Sequence, residues 1–349
     1  MAHLRIYLPL PRLHVYETLQ LPQLTLTPPQ YDVERPKTPL AKEQKQLRAA
    51  VSSASDIACI CFPEETLVLR DGAEENNLAQ APVGPSGVAE NDFLQHTVLE
   101  MPFESASLQL RRPTRKSDQK AIVEALEHAD AALDGIRFDY CRLDVPRMSL
   151  GPPGYLPDKS MFAVYFHDTE LNQGRMIRYE PANPLSMPGC GLDLEGPIQP
   201  SPVDALICNT HRPATLGVRL RRMLRMFCQS FVAPSDESKI LTNLFAMDGC
   251  LTPETSTSGD FKKFVAISAA GGPSGYEAEY ATFRQFYQEV RNPLVHHGKT
   301  YGQLGRNRRD DLFYLQGLIF RVLENLTKSA TEDFKTYWQN AITMANQHA

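Results

Sequence analysis

The hydrophobic positions of this chain change period partway along it. Leu4-Arg5-Ile6-Tyr7-Leu8, then Leu19-Gln20-Leu21 with Leu24-Thr25-Leu26-Thr27, alternate in partial steps of two, the spacing of a strand with one buried face. Further strands are expected over 57–62, 66–70, 93–101, 106–110, 136–145, 160–167 and 175–180, with a short helix over 42–54. Between them Ser117 is expected to cap a helix running to Leu133, with Ile122, Leu126, Ala129 and Leu133 as its buried stripe and Gly135 as its stop. From Pro213 the period becomes helical. Leu216, Leu220, Leu224, Phe227 and Phe231 form one stripe. Helices are expected to follow over 237–250, 261–270, 276–292 and 308–328, with a last one from Thr331.

Proline marks the same division. Of 27 prolines, 23 lie at or before Pro213, and the Pro- and Gly-rich stretch 181–213 reads as a linker. Residues 71–91 have few large apolar side chains and read as a long surface loop. The expected class is α+β: a β-rich domain with one prominent helix over 1–200, then an all-α helical bundle over 204–349.

Charge and cysteine narrow the picture further. The chain has 349 residues and a net charge of −5. Residues 204–349 hold 17 basic against 14 acidic side chains, whereas the preceding part holds 19 against 27. That asymmetry permits nucleic-acid contact by the helical part. Arg219, Arg221, Arg222 and Arg225 crowd the first helix, with no acid between Asp204 and Asp236, and are the candidate RNA-backbone contacts. The alternative is a solvated face paired with acids elsewhere. Seven scattered cysteines do not form a disulfide framework or a metal-ligand spacing, so no metal or other cofactor is expected. No apolar run approaches the roughly 20 residues that cross a bilayer, and the first residues do not read as a signal peptide; a cytoplasmic protein is expected.

The densest chemistry is Glu289-Val290-Arg291-Asn292-Pro293-Leu294-Val295-His296-His297-Gly298. It offers a fixed cation for an anion and an imidazole that trades protons near neutrality. Five residues apart on a straight helix, Arg291 and His296 would diverge. Pro293 disfavours helical geometry at Asn292, so the helix is expected to stop or kink there and close at Gly298, bringing Arg291 to one histidine. Glu289 is a candidate partner for the Arg291 guanidinium.

This segment resembles the signature of the HEPN superfamily of ribonucleases: Arg291, the polar Asn292, then His296 or His297. Its helical surroundings, from about Asp204 to Ala349, look most like the Apea-like branch. The resemblance implies a metal-independent endoribonuclease in which Arg291 clamps the transition state, His296 is the acid–base, Asn292 orients the site and His297 is the alternative histidine. It also implies an RNA substrate, a homodimer, and a role in bacterial anti-phage defence, with residues 1–200 sensing a phage-derived trigger. Two other readings stay open on sequence: a non-catalytic helical module that binds RNA or protein, and the toxin of a toxin–antitoxin pair.

Overall fold

The computed structural model describes residues 4–16, 18–28, 56–61, 96–105, 114–145, 148–171, 173–181, 191–194, 201–233, 235–254 and 256–348. The chain divides into two compact units, Met1–Ala132 with Leu150–Gln199 and Leu133–Ser149 with Pro200–Ala349. The fold is α+β, with the strands in the first unit and the second largely helical. The helix expected over 42–54, the strands over 66–70 and 106–110 and the loop 71–91 lie outside the described residues.

In the first unit, β1 (Leu4–Leu10), β2 (Leu13–Val15), β3 (Leu19–Gln20), β4 (Thr25–Thr27), β5 (Asp56–Cys61) and β6 (Thr97–Phe103) precede the one long helix, α1 (Arg115–Ala132). β7 (Tyr155–Leu156), β8 (Met161–Asp168), β9 (Gln173–Glu180) and β10 (Leu192–Leu194) follow. The main sheet runs β3-β4-β6-β1-β8-β9-β5, with β7 on β8; β2 and β10 form a separate pair. Its ladders are antiparallel except β5 on β9. Ile6, Leu8 and Leu10 of β1 and Val164 and Phe166 of β8 are buried. Helix α1 is tied to the sheet by Asp118, which accepts from Arg175 at 2.7 Å. Its cap is Thr114 rather than Ser117. The two residues exchange backbone-to-hydroxyl bonds of 3.0 and 3.1 Å, a reciprocal cap with Ser117 one turn inside.

In the second unit the expected strand over 136–145 is a helix, α2 (Asp134–Tyr140), and Gly135 sits inside it rather than ending α1. Ile136 and Phe138 alternate with polar residues as a strand would, but neighbouring helices supply partners for the buried residues 134–138. Phe138 packs on Phe320 at 4.3 Å and Phe227 at 6.2 Å, and buried Asp134 accepts from Arg137 and Arg225. The 181–213 stretch, expected as a linker, contains β10 and α3 (Asp204–Cys208).

The remaining helices follow the apolar stripes: α4 (Leu216–Ser230), α5 (Asp236–Leu251), α6 (Ser258–Ala270) and α7 (Tyr276–Phe286). They are followed by a wide turn over Tyr287–Arg291, then α8 (Asn292–His296), α9 (Arg308–Thr327) and α10 (Phe334–Gln347). Ser235, Thr257, Asn307 and Asp333 cap α5, α6, α9 and α10 with side-chain oxygens, as their residue types favour. Phe264 joins α6 to α10 by ring contacts with Phe334, Tyr337 and Trp338. Among the described residues no helix is long and apolar enough to cross a membrane.

Candidate catalytic site

The site is built on a helix that changes pitch. Phe283, Phe286, Tyr287 and Val290 are buried and hold one face of the Tyr276–His296 run against the core. Phe261, Phe283 and Tyr287 form a ring cluster with centroids 5.9 to 6.0 Å apart. Where a stop or kink at Asn292 was expected, the helix continues through a widened π turn. The amide of Asn292 donates to the carbonyl of Tyr287, five residues back, and Asn292 keeps helical angles. Pro293 explains the extra residue. In an unbroken α-helix its ring would press on the carbonyl four residues earlier, and widening the turn relieves that contact.

The pitch change brings the motif residues together. Arg291 Nη1 lies 2.6 Å from His296 Nε2. A guanidinium only donates, so Nε2 accepts, and the neutral ring carries its proton on Nδ1. The helix then ends as expected at Gly298, whose φ of +60° is left-handed. The Pro293 carbonyl accepts from the amides of His297 and Lys299, at 3.3 and 3.1 Å. His296 and His297 are exposed, Asn292 is half-buried, and the Arg291 side chain is 15% exposed. Among the described residues the Asn292 and His297 side chains make no hydrogen bond.

Three residues without a motif complete the surroundings. Tyr287 lies under Arg291, whose guanidinium carbon is 4.9 Å from the ring centre. Lys262 of α6 places its Nζ 5.1 Å from the centre of the same ring. Asp248 of α5 stands 3.9 Å from Arg291, at the outer limit of an ion pair. Burial holds the Lys262 ammonium below the usual lysine range, and Arg284 and Arg291 push the same way. Burial raises the Tyr287 phenol. Tyr287 was not among the site residues expected from sequence; its signal is an aromatic one helical turn before Arg291. Lys262 and Asp248 sit on other helices and had no signal in the local spacing.

Glu289, a candidate partner for Arg291, faces elsewhere. It accepts from Gln285 at 2.9 Å and pairs with Arg306. Arg306 in turn grips buried Asp311 by two bonds of 2.9 and 2.6 Å, and the Tyr301 hydroxyl also donates to Asp311. This network fastens the 301–311 segment to the wide turn.

The four arginines of α4 do not share one role. Arg219 donates to the carbonyl of Cys250 at 3.1 Å and stacks on Phe334 at 4.0 Å. Arg225 donates to buried Asp134 at 2.8 Å. Arg221 and Arg222 are exposed. Among the described residues no group of three or more His, Cys, Asp or Glu is placed to hold a metal ion. No family model, curated protein or solved structure matches this chain.

Proposed function

We propose that the second unit is an endoribonuclease that cleaves RNA by attack of its own 2′-hydroxyl, with Arg291 and His296 as the reacting pair. The observation that carries this reading is the 2.6 Å approach of a guanidinium to an exposed imidazole on a pitch-changed helix. Ribose supplies the nucleophile, so the enzyme has to move one proton off the 2′-oxygen, stabilise the phosphorane and return a proton to the leaving 5′-oxygen.

In the free protein Arg291 donates to the lone pair of His296 Nε2. An arriving phosphate is a stronger acceptor for the guanidinium. As Arg291 turns to the phosphoryl oxygens, Nε2 is freed to take the 2′-proton. The products are a 2′,3′-cyclic phosphate and a 5′-hydroxyl end. The imidazolium then gives that proton to the leaving 5′-oxygen as its bond to phosphorus breaks, which restores the neutral ring. General acid–base catalysis of this kind contributes on the order of 10²–10⁴-fold. A fixed cation on the phosphorane stabilises the charge that develops there. In this reading half-buried Asn292, next to Arg291 in sequence, orients the phosphate, and exposed Arg221 and Arg222 add contacts to the RNA backbone.

The test is to incubate purified protein with RNA, with and without EDTA, and map the fragment ends. Fragments with 5′-hydroxyl ends, unaffected by EDTA and absent with Arg291→Ala and with His296→Ala, are the expected result. Active single variants would remove Arg291 and His296 as the reacting pair, and a protein that binds RNA without cutting it would replace the nuclease reading with a binding module.

A further inference from the structure

Among the described residues the cations around Tyr287 outnumber the acids. Arg291 and Lys262 each lie about 5 Å from the centre of that one ring, on different helices. Arg284 adds a third charge close enough to act on Lys262. The acid beside them is Asp248, 3.9 Å from Arg291, which also accepts from Thr252 at 3.0 Å. Like charges held near one ring repel, and the attraction of the ring offsets only part of that. Among the described residues the Lys262 ammonium makes one weak bond, 3.3 Å to Ser258 Oγ, and most of its donors are left for another partner. Such a grouping is neutralised by an anion that reaches two cations at once.

We infer that Lys262 and Arg291, set on the shared platform of Tyr287, form a two-cation clamp for a single phosphoryl group. The inference rests on the nuclease reading for the identity of its ligand, an internal phosphodiester of an RNA chain. It adds to that reading a residue outside the Arg–His motif. Arg291 offers a planar fork and Lys262 a mobile point charge, so one grips two oxygens while the other adapts to the third. Lys262 is a positioning residue: it carries no proton in the reaction and acts by holding the phosphate against Arg291. Its removal therefore weakens substrate binding more than turnover.

The experiment has two arms. In the first, inorganic phosphate is titrated against wild-type protein and the melting temperature is followed. Phosphate is expected to raise it in wild type, in Lys262→Arg, in His296→Ala and in the surface control Lys335→Gln, and to leave it unmoved in Lys262→Gln and Arg291→Gln. In the second, cleavage of an oligoribonucleotide with hydroxyl ends is followed. Lys262→Gln is expected to raise KM about 10- to 100-fold, the loss of one charge-assisted bond, with kcat changed far less. No phosphate response in wild type, or an undiminished one in Lys262→Gln, overturns the clamp. A requirement for a terminal phosphate on the oligoribonucleotide also overturns it as stated. Cleavage that survives His296→Ala removes the Arg291–His296 mechanism, and no cleavage at all removes the nuclease reading, while either leaves the phosphate result standing, so the two ideas fail separately.

Discussion

Arg291 Nη1 and His296 Nε2 are 2.6 Å apart although they stand five positions apart along one helix. The bond sets the tautomer of the ring, because Nε2 has to keep its lone pair to accept it. The ¹⁵N shifts of His296 are expected to report a protonated Nδ1 and a bare Nε2 in the neutral ring. Arg291→Ala should shift the ring toward the mixture of tautomers found in a free imidazole. An Nε2-protonated ring in the native protein would contradict the arrangement.

Pro293 carries the geometry of that pair. Pro293→Ala restores a donor and removes the ring, so the helix can return to a regular pitch in which positions five apart diverge. Cleavage is expected to drop by about 100-fold, the usual consequence of a small misplacement of reacting groups. The melting temperature should hold or rise. Full activity in this variant would show that the π turn is not what aligns the site.

The arginines of α4 separate into two pairs by experiment. Arg221→Gln and Arg222→Gln should each weaken RNA binding and lower the slope of log affinity against log salt by about 0.7. Arg225→Gln should instead destabilise the fold by about 1–3 kcal/mol, because buried Asp134 loses a charged donor. Salt titrations of binding, set beside urea denaturation, distinguish the two outcomes. An unchanged salt slope in the Arg221→Gln, Arg222→Gln double variant would remove these residues from the RNA path.

Lys262 makes stability depend on pH in a definite direction. Its folded-state pKa lies below the unfolded value, so between the two the unfolded chain binds more protons. Stability from this group therefore rises as pH climbs from the folded pKa toward the ordinary lysine value. Lys262→Gln should flatten that alkaline rise and leave the protein no less stable at neutral pH, even as phosphate binding is lost. Denaturation curves at a series of pH values read the effect. A marked loss of neutral-pH stability would make Lys262 a structural residue.

Asp311 holds the segment behind the wide turn. Its carboxylate is 5% exposed and takes both arms of Arg306 together with the Tyr301 hydroxyl. Asp311→Ala leaves Arg306 without its main counter-charge. The expected destabilisation is about 3 kcal/mol, at the low end for a broken buried pair because Arg306 remains 31% exposed. Denaturant midpoints check the value, and a shift near zero would show the network to be dispensable.

Much of the helical unit could be read from spacing alone. The stripe from Leu216 to Phe231 is buried as read, Gly298 is left-handed, and the Arg–His pairing was anticipated. The route to that pairing was not. A proline after Asn292 pointed to a break, whereas one extra residue in the turn lets the helix run on. Residues 136–145 alternate like a strand, yet Asp134–Tyr140 is helical, with residues 134–138 buried against partners such as Phe320 from other helices. Ser117 was taken for a cap because serine at a helix start is favourable; Thr114, three residues earlier, holds that place.

Local order decided the helices from Leu216 onward, where several are capped, and that an arginine and a histidine would stand near one proline. These follow from side-chain shape, backbone donors and periodicity, which act over a few residues. Which charges meet was decided by the tertiary packing. Arg219 and Arg225 are drawn to carbonyl, ring and carboxylate partners, Glu289 turns to Arg306, and Lys262 arrives over Tyr287 from another helix. The partners that settle a long charged side chain's place lie tens of residues away, and only the folded core brings them within reach.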